Sequence, residues 1–139
     1  MTTLRLHTNA ALATLLLAAA GSVFSASLDL KLSGTQEVPA VSTSAAGSGT
    51  ITVGDDGAVS GSVTTTGVAG TMAHIHVAAA GKNGPVIVPL AKTGDNVWSV
   101  PAGAKLTPEQ MKSYMAGELY VNVHSDANKG GEIRAQLKP

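Results

Sequence analysis

Leu28-Asp29-Leu30-Lys31-Leu32 alternates apolar and polar residues without a break. Successive side chains of a strand point to opposite faces, so a period of two specifies a strand with one face in a core. The same period returns along the chain. Thr50-Ile51-Thr52-Val53 repeats it, and Val59, Gly61 and Val63 mark the inward positions of a third strand, with Ser60, Ser62 and Thr64 outward. Ala73, Ile75 and Val77 mark a fourth; Val86-Ile87-Val88 and Val97-Trp98-Ser99-Val100 read as two more. A hairpin closes the chain, with Val121 and Val123 on one arm and Ile133, Ala135 and Leu137 on the other. Gly54-Asp55-Asp56-Gly57, Gly81-Lys82-Asn83-Gly84-Pro85 and Thr93-Gly94-Asp95-Asn96 supply the turns. About eight short strands, with turns roughly every 8–12 residues, predict an all-β fold: a single antiparallel, Greek-key-like β-sandwich.

One short helix breaks the pattern. Thr107-Pro108-Glu109-Gln110 offers Thr107 as N-cap, Pro108 at the first helical position and Gln110 where a capping box needs it. Met111, Tyr114 and Met115 share an apolar face at helical spacing, and Gly117 stops the helix. That face is expected to dock against the sheet.

Residues 1–26 follow a different logic. Arg5, an apolar run over residues 10–20 and small residues around Ser25-Ala26-Ser27 have the layout of a secretory signal peptide. The run is shorter than the roughly 20 residues of a membrane span. Cleavage is expected after Ser25, within a residue or two, and residues 27–139 are expected to form one domain outside the cytoplasm, in the periplasm or the medium. That domain carries eight basic and nine acidic residues, with no basic run and few aromatics, so a nucleic-acid partner is not expected. Cysteine is absent, which excludes a disulfide staple, a thiolate metal site and a thiol nucleophile.

Of the four histidines, His7 lies in the expected leader; the others are His74, His76 and His124. With Ile75 and Val77 in the core, His74 and His76 share the outward face of their strand. With Val121 and Val123 in the core, Tyr120, Asn122 and His124 point outward, as do Glu132, Arg134 and Gln136 on the partner arm. If the two strands are neighbours, three surface imidazoles converge beside Asn122 and Glu132. Three nitrogen ligands on rigid strands suit copper or zinc, with an amide or carboxylate to complete or orient the shell. The alternative is three exposed histidines that hydrogen-bond across a polar face without a metal.

Catalytic patterns are lacking. No Gly-x-Ser-x-Gly elbow occurs, and Ser125 points away from the adjacent His124 on a strand. Lys82 is followed by Asn83, so the glycine-rich turn is not a phosphate loop. Asp126 and Asn128 lack the remaining ligands of a calcium loop.

Five segments, in order, carry a resemblance: Leu32-Ser33-Gly34-Thr35-Gln36-Glu37-Val38-Pro39; Ala73-His74-Ile75-His76; Asn83-Gly84-Pro85-Val86; Leu119-Tyr120-Val121-Asn122-Val123-His124; and Gly130-Gly131-Glu132-Ile133-Arg134-Ala135-Gln136-Leu137. Together they resemble the chordin-type (CHRD) domain from about residue 28 to the C-terminus. That likeness implies a secreted, non-enzymatic domain. Many members continue His-x-His with Gly-Pro, where this chain has Val77-Ala78-Ala79-Ala80-Gly81. A weaker likeness is to the copper half of Cu/Zn superoxide dismutase, which would make His74, His76 and His124 copper ligands. No histidine remains to bridge to a zinc half, so dismutase activity is not expected. The expectation is an exported domain that binds a transition metal, copper first, through His74, His76 and His124, with Asn122 and Glu132 as auxiliaries. The competing expectation is a metal-free structural or protein-interaction module.

Overall fold

A computed structural model describes residues 24–139; the expected leader falls outside them except for its last three residues. Nine strands and one helix follow in chain order: β1 (Ser25–Ser33), β2 (Ala46–Gly54), β3 (Val59–Thr66), β4 (Gly70–Val77), β5 (Val86–Pro89), β6 (Ala91–Gly94), β7 (Val97–Ser99), α1 (Pro108–Met115), β8 (Leu119–Ser125) and β9 (Ile133–Leu137). All pairings are antiparallel, in the spatial order β5-β4-β8-β9-β1-β2-β3-β7-β6.

The ribbon is nearly two sheets. β9 and β1 pair only at Ser33 and Arg134. This seam separates a four-stranded half (β5-β4-β8-β9) from a five-stranded half (β1-β2-β3-β7-β6), which fold face to face. A Cβ added to Gly70 on β4 would stand 3.1 Å from both the Trp98 indole of β7 and Val123 of β8. Leu30, Leu32, Ile51, Val63, Ile75, Trp98, Val121, Val123, Ile133 and Leu137 form the core between the halves. These are the apolar members of the alternating runs, so the sandwich follows from the period of two. Leu90 and Leu106, from connections, fill its ends.

β6 is the strand beyond those expected. Its residues, Ala91-Lys92-Thr93-Gly94, are all exposed and have no apolar alternation. It pairs with β7 as an edge hairpin turning at Asp95-Asn96, so Thr93 and Gly94 end a strand instead of starting a turn. Backbone pairing, with a Thr93–Ser99 hydroxyl contact (2.7 Å) and Lys92 over the Trp98 ring, makes it a strand.

The helix starts as its sequence specifies. Gln110 N–H donates to Thr107 Oγ1 (3.2 Å), and Thr107 N–H donates to Gln110 Oε1 (2.9 Å). Tyr114 is buried and Met111 packs on the core, but Met115 is exposed, contrary to the expected three-residue face. An eight-residue helix makes little more than two turns, and only one narrow stripe reaches the sheet.

Candidate metal centre

β4 and β8 are neighbours, and their register sets Met72 opposite His124, His74 opposite Asn122 and His76 opposite Tyr120. Alternation then puts all six side chains on the face turned away from the core. β9 continues this face, with Arg134 opposite Asn122 and Gln136 opposite Tyr120.

The face is not a surface. His76 and His124 are 8% and 6% exposed, Asn122 and Arg134 1% each; His74 is half-buried. The expectation of three surface histidines is corrected accordingly. Three connections roof the layer: the short 3-10 turn Gly34–Gln36 with the residues after it, the β4–β5 connection, and the loop between β8 and β9. The β4–β5 connection is tied down by Asn83 Nδ2 donating to the Val38 carbonyl (2.7 Å) and by Gln136 Nε2 donating to the Ala78 carbonyl (2.9 Å). Gly84 within it runs so close to the Val77 carbonyl that a Cβ there would overlap it. The 3-10 turn brings in Glu37, buried beside Gly131, where a Cβ would overlap both Glu37 and Asn122. These two glycines let the roof approach the sheet.

His74, His76 and His124 form one group, their candidate ligand nitrogens all within 4.8 Å of one another. His124 Nδ1–H donates to the Lys129 carbonyl (2.8 Å), which leaves Nε2 with its lone pair. That Nε2 lies 3.1 Å from His74 Nδ1. His76 Nδ1–H donates to the Gly84 carbonyl (2.9 Å), so its Nε2 also carries a lone pair. It faces Asn122 Oδ1, another acceptor, at 3.0 Å. Asn122 Nδ2 is turned the other way, toward the Gly130 carbonyl at 3.4 Å.

The surroundings of His74 and His76 favour the neutral ring. Burial lowers the pKa of His74, and the charges that His124 and His76 would carry lower it further. Burial also lowers that of His76; its hydrogen bonds to Gly84 and Asn122 oppose the shift, while His124 and Arg134 reinforce it. Arg134 acts across a stack: its guanidinium lies 3.4 Å over the Tyr120 ring, and that ring lies parallel to His76 with centroids 4.7 Å apart. Arg134 also donates to Asn83 Oδ1 (3.3 Å) and Gln136 Oε1 (3.2 Å). Neutral imidazole is the form that binds a metal.

Asn122 is thus part of the cluster, as expected, but Glu132 is not. Its carboxylate accepts hydrogen bonds from Thr43 Oγ1 and Ser125 Oγ, and these hold its pKa below the usual carboxylate range. Glu132 precedes β9, and Ser125, one residue after His124, belongs to the opposite face, so the carboxylate is drawn away from the imidazoles. The carboxyl that does approach is Glu37. Burial raises its pKa to about 7 against the pull of Arg134, of the Asn122 amide and of the Val38 N–H. Although the amide is close, Glu37 Oε1 makes no well-formed hydrogen bond. Sequence reasoning gave Glu37 no place at this site, because nothing in Gln36-Glu37-Val38-Pro39 announces that the segment folds over a strand face.

Residues 28–137 match the family model of the CHRD domain. The chain belongs to the CHRD domain family. Neither the curated proteins nor the solved structures contain a match to it. The likeness to the copper half of Cu/Zn superoxide dismutase is therefore not borne out. CHRD domains are typically extracellular or periplasmic, and no helix among the described residues is long and apolar enough to cross a membrane. The match spans both halves of the sandwich and all three histidines.

Proposed function

We propose that this CHRD domain is an exported, non-enzymatic protein that binds a transition metal ion, copper first, through His74, His76 and His124, with Asn122 as auxiliary ligand. One observation carries the reading: two pairs of lone-pair-bearing atoms stand at the separation that a shared ion imposes. Ligands bound at about 2.0–2.1 Å to one ion, at angles between square and tetrahedral, lie about 2.9–3.4 Å apart. His74 Nδ1 and His124 Nε2 are 3.1 Å apart; His76 Nε2 and Asn122 Oδ1 are 3.0 Å apart. The first pair also suits a hydrogen bond, with the His74 proton on Nδ1. The second needs a cation, because an imidazole lone pair and an amide oxygen otherwise repel. A proton on His76 is disfavoured by burial and Arg134.

A specific observation favours the metal-free module instead. Turning the Asn122 amide over would let Nδ2 donate to His76 and close the network without an ion. Oδ1 would then face the Gly130 carbonyl and the Glu37 carboxyl, which is tolerable only while Glu37 keeps its proton. Calorimetric titration of the purified exported chain with Cu(II) and Zn(II), beside a His74→Ala/His76→Ala/His124→Ala variant, separates the readings. The metal reading requires stoichiometric binding that the triple variant loses; equal weak binding by both proteins ends it.

A further inference from the structure

Met72 has no place in the core. It is 49% exposed, whereas Ala73 and Ile75, on the other face of β4, are 1% exposed. Alternation therefore sets Met72, His74 and His76 in a row on the face that carries the imidazoles. Met72 is the register partner of His124. Directly opposed residues have Cβ atoms about 4.5–5.5 Å apart, a gap that an unbranched methionine side chain spans. On the same face, His74 Nδ1 and His124 Nε2 stand 3.1 Å apart. His76 lies further along β4 from Met72, with its Nδ1–H donating to the Gly84 carbonyl and its Nε2 turned toward Asn122.

We propose that Met72 supplies its thioether sulfur to the ion held by His74 and His124, giving the site a binding mode for monovalent copper. The inference rests on the metal reading of the histidines and names the ion state they take. Thioether sulfur is a soft ligand that favours Cu(I) and offers zinc little. Cu(I) is also content with few ligands, so two imidazoles and one sulfur satisfy it without calling on His76. The position suits exchange: a half-exposed sulfur at the rim is the first ligand an arriving ion meets, and the flexible methionine chain follows it inward. The chemical class of the ligand is a cuprous ion delivered from solution or from a small soft-ligand complex.

The test is anaerobic competition of the full exported chain against a chromophoric Cu(I) chelator, with Met72→Leu beside the unaltered chain. Leucine keeps the volume and removes the sulfur. Expected is a loss of about tenfold or more in Cu(I) affinity, with Zn(II) and Cu(II) affinities within about threefold. X-ray absorption of the Cu(I)-loaded unaltered chain should give one sulfur scatterer at about 2.3 Å beside the nitrogens; this measurement needs no variant to fold. Unchanged Cu(I) affinity in Met72→Leu, or a shell of nitrogen alone, overturns the role of Met72 and leaves the histidine site standing. Failure of the unaltered chain to bind either copper ion overturns both.

Discussion

The two faces of β8 are equally dry and owe it to different causes. Leu119, Val121 and Val123 on one face, and Tyr120, Asn122 and His124 on the other, are all buried. The apolar face is covered by the opposing sheet half, through contacts that need only shape and hydrophobicity. The polar face is covered by three connections held through hydrogen bonds of defined direction: Gly84 to His76 from one, Lys129 to His124 and Gly130 to Asn122 from another, and Val38 of the third to Asn83 of the first. Apolar burial stabilises in proportion to area and tolerates substitution of like volume. A buried polar layer is all or nothing, since each unmet donor or acceptor costs its desolvation. One face of the strand therefore holds the fold, and the other holds three imidazoles in fixed positions.

The largest effect separates the two at adjacent residues. Ile75 lies between His74 and His76 and points into the core. Ile75→Ala should cost about 2–5 kcal/mol in chemical denaturation, while copper affinity in the surviving folded protein changes less than threefold. If affinity falls in step with stability, the faces are one unit and the contrast fails.

The roof comes next. Gly84→Ala places a methyl against the Val77 carbonyl and must push the connection outward, at about 1–3 kcal/mol. Unlike Ile75→Ala, it moves the carbonyl that fixes the His76 tautomer, so metal affinity should fall with it. Titration and thermal unfolding of the same sample check both. Asn122→Ala costs about 1–3 kcal/mol by leaving buried groups unpaired, and it should lower metal affinity by about 10–100-fold. An affinity unchanged in Asn122→Ala would place the ion away from His76.

Alternation carried the apolar face into view and stopped at the polar one. Leu30, Leu32, Ile51, Val121 and Leu137 are core because a period of two leaves them no other place. The same period put His74, His76, Asn122 and His124 on one face, and the family motifs set that face in order. It said nothing of what lies above. A strand face reads as polar whether water or a loop covers it, and Gly84 and Glu37 sit in connections whose paths depend on distant anchors. Glu132 went astray for the same reason: outside the regular strand, its direction is set by Thr43 and Ser125, not by alternation. β6 was invisible because all four of its residues are exposed and carry no apolar alternation.

The smallest effect probes the dryness of the polar face directly. Burial raises the Glu37 pKa from 4.5 to about 7, so between those values the folded chain holds a proton that the unfolded chain has lost. Its contribution to stability is then complete below pH 4.5 and declines as pH rises through 7. His74 and His76 act in the opposite sense. Their lowered values make their contribution complete above the ordinary 6.5 and lost as pH falls through the folded pKa. Metal-free protein should therefore show two opposed trends between pH 4.5 and neutrality, Glu37 losing its contribution and the histidines gaining theirs as pH rises, and Glu37→Gln should remove only the loss. Thermal midpoints of the two proteins, compared from pH 4.5 to 8, should diverge in favour of the variant as pH rises. A gap that stays constant across that range would mean that Glu37 is solvated beneath its roof. The polar face would then owe its order to hydrogen bonds alone, with no exclusion of water.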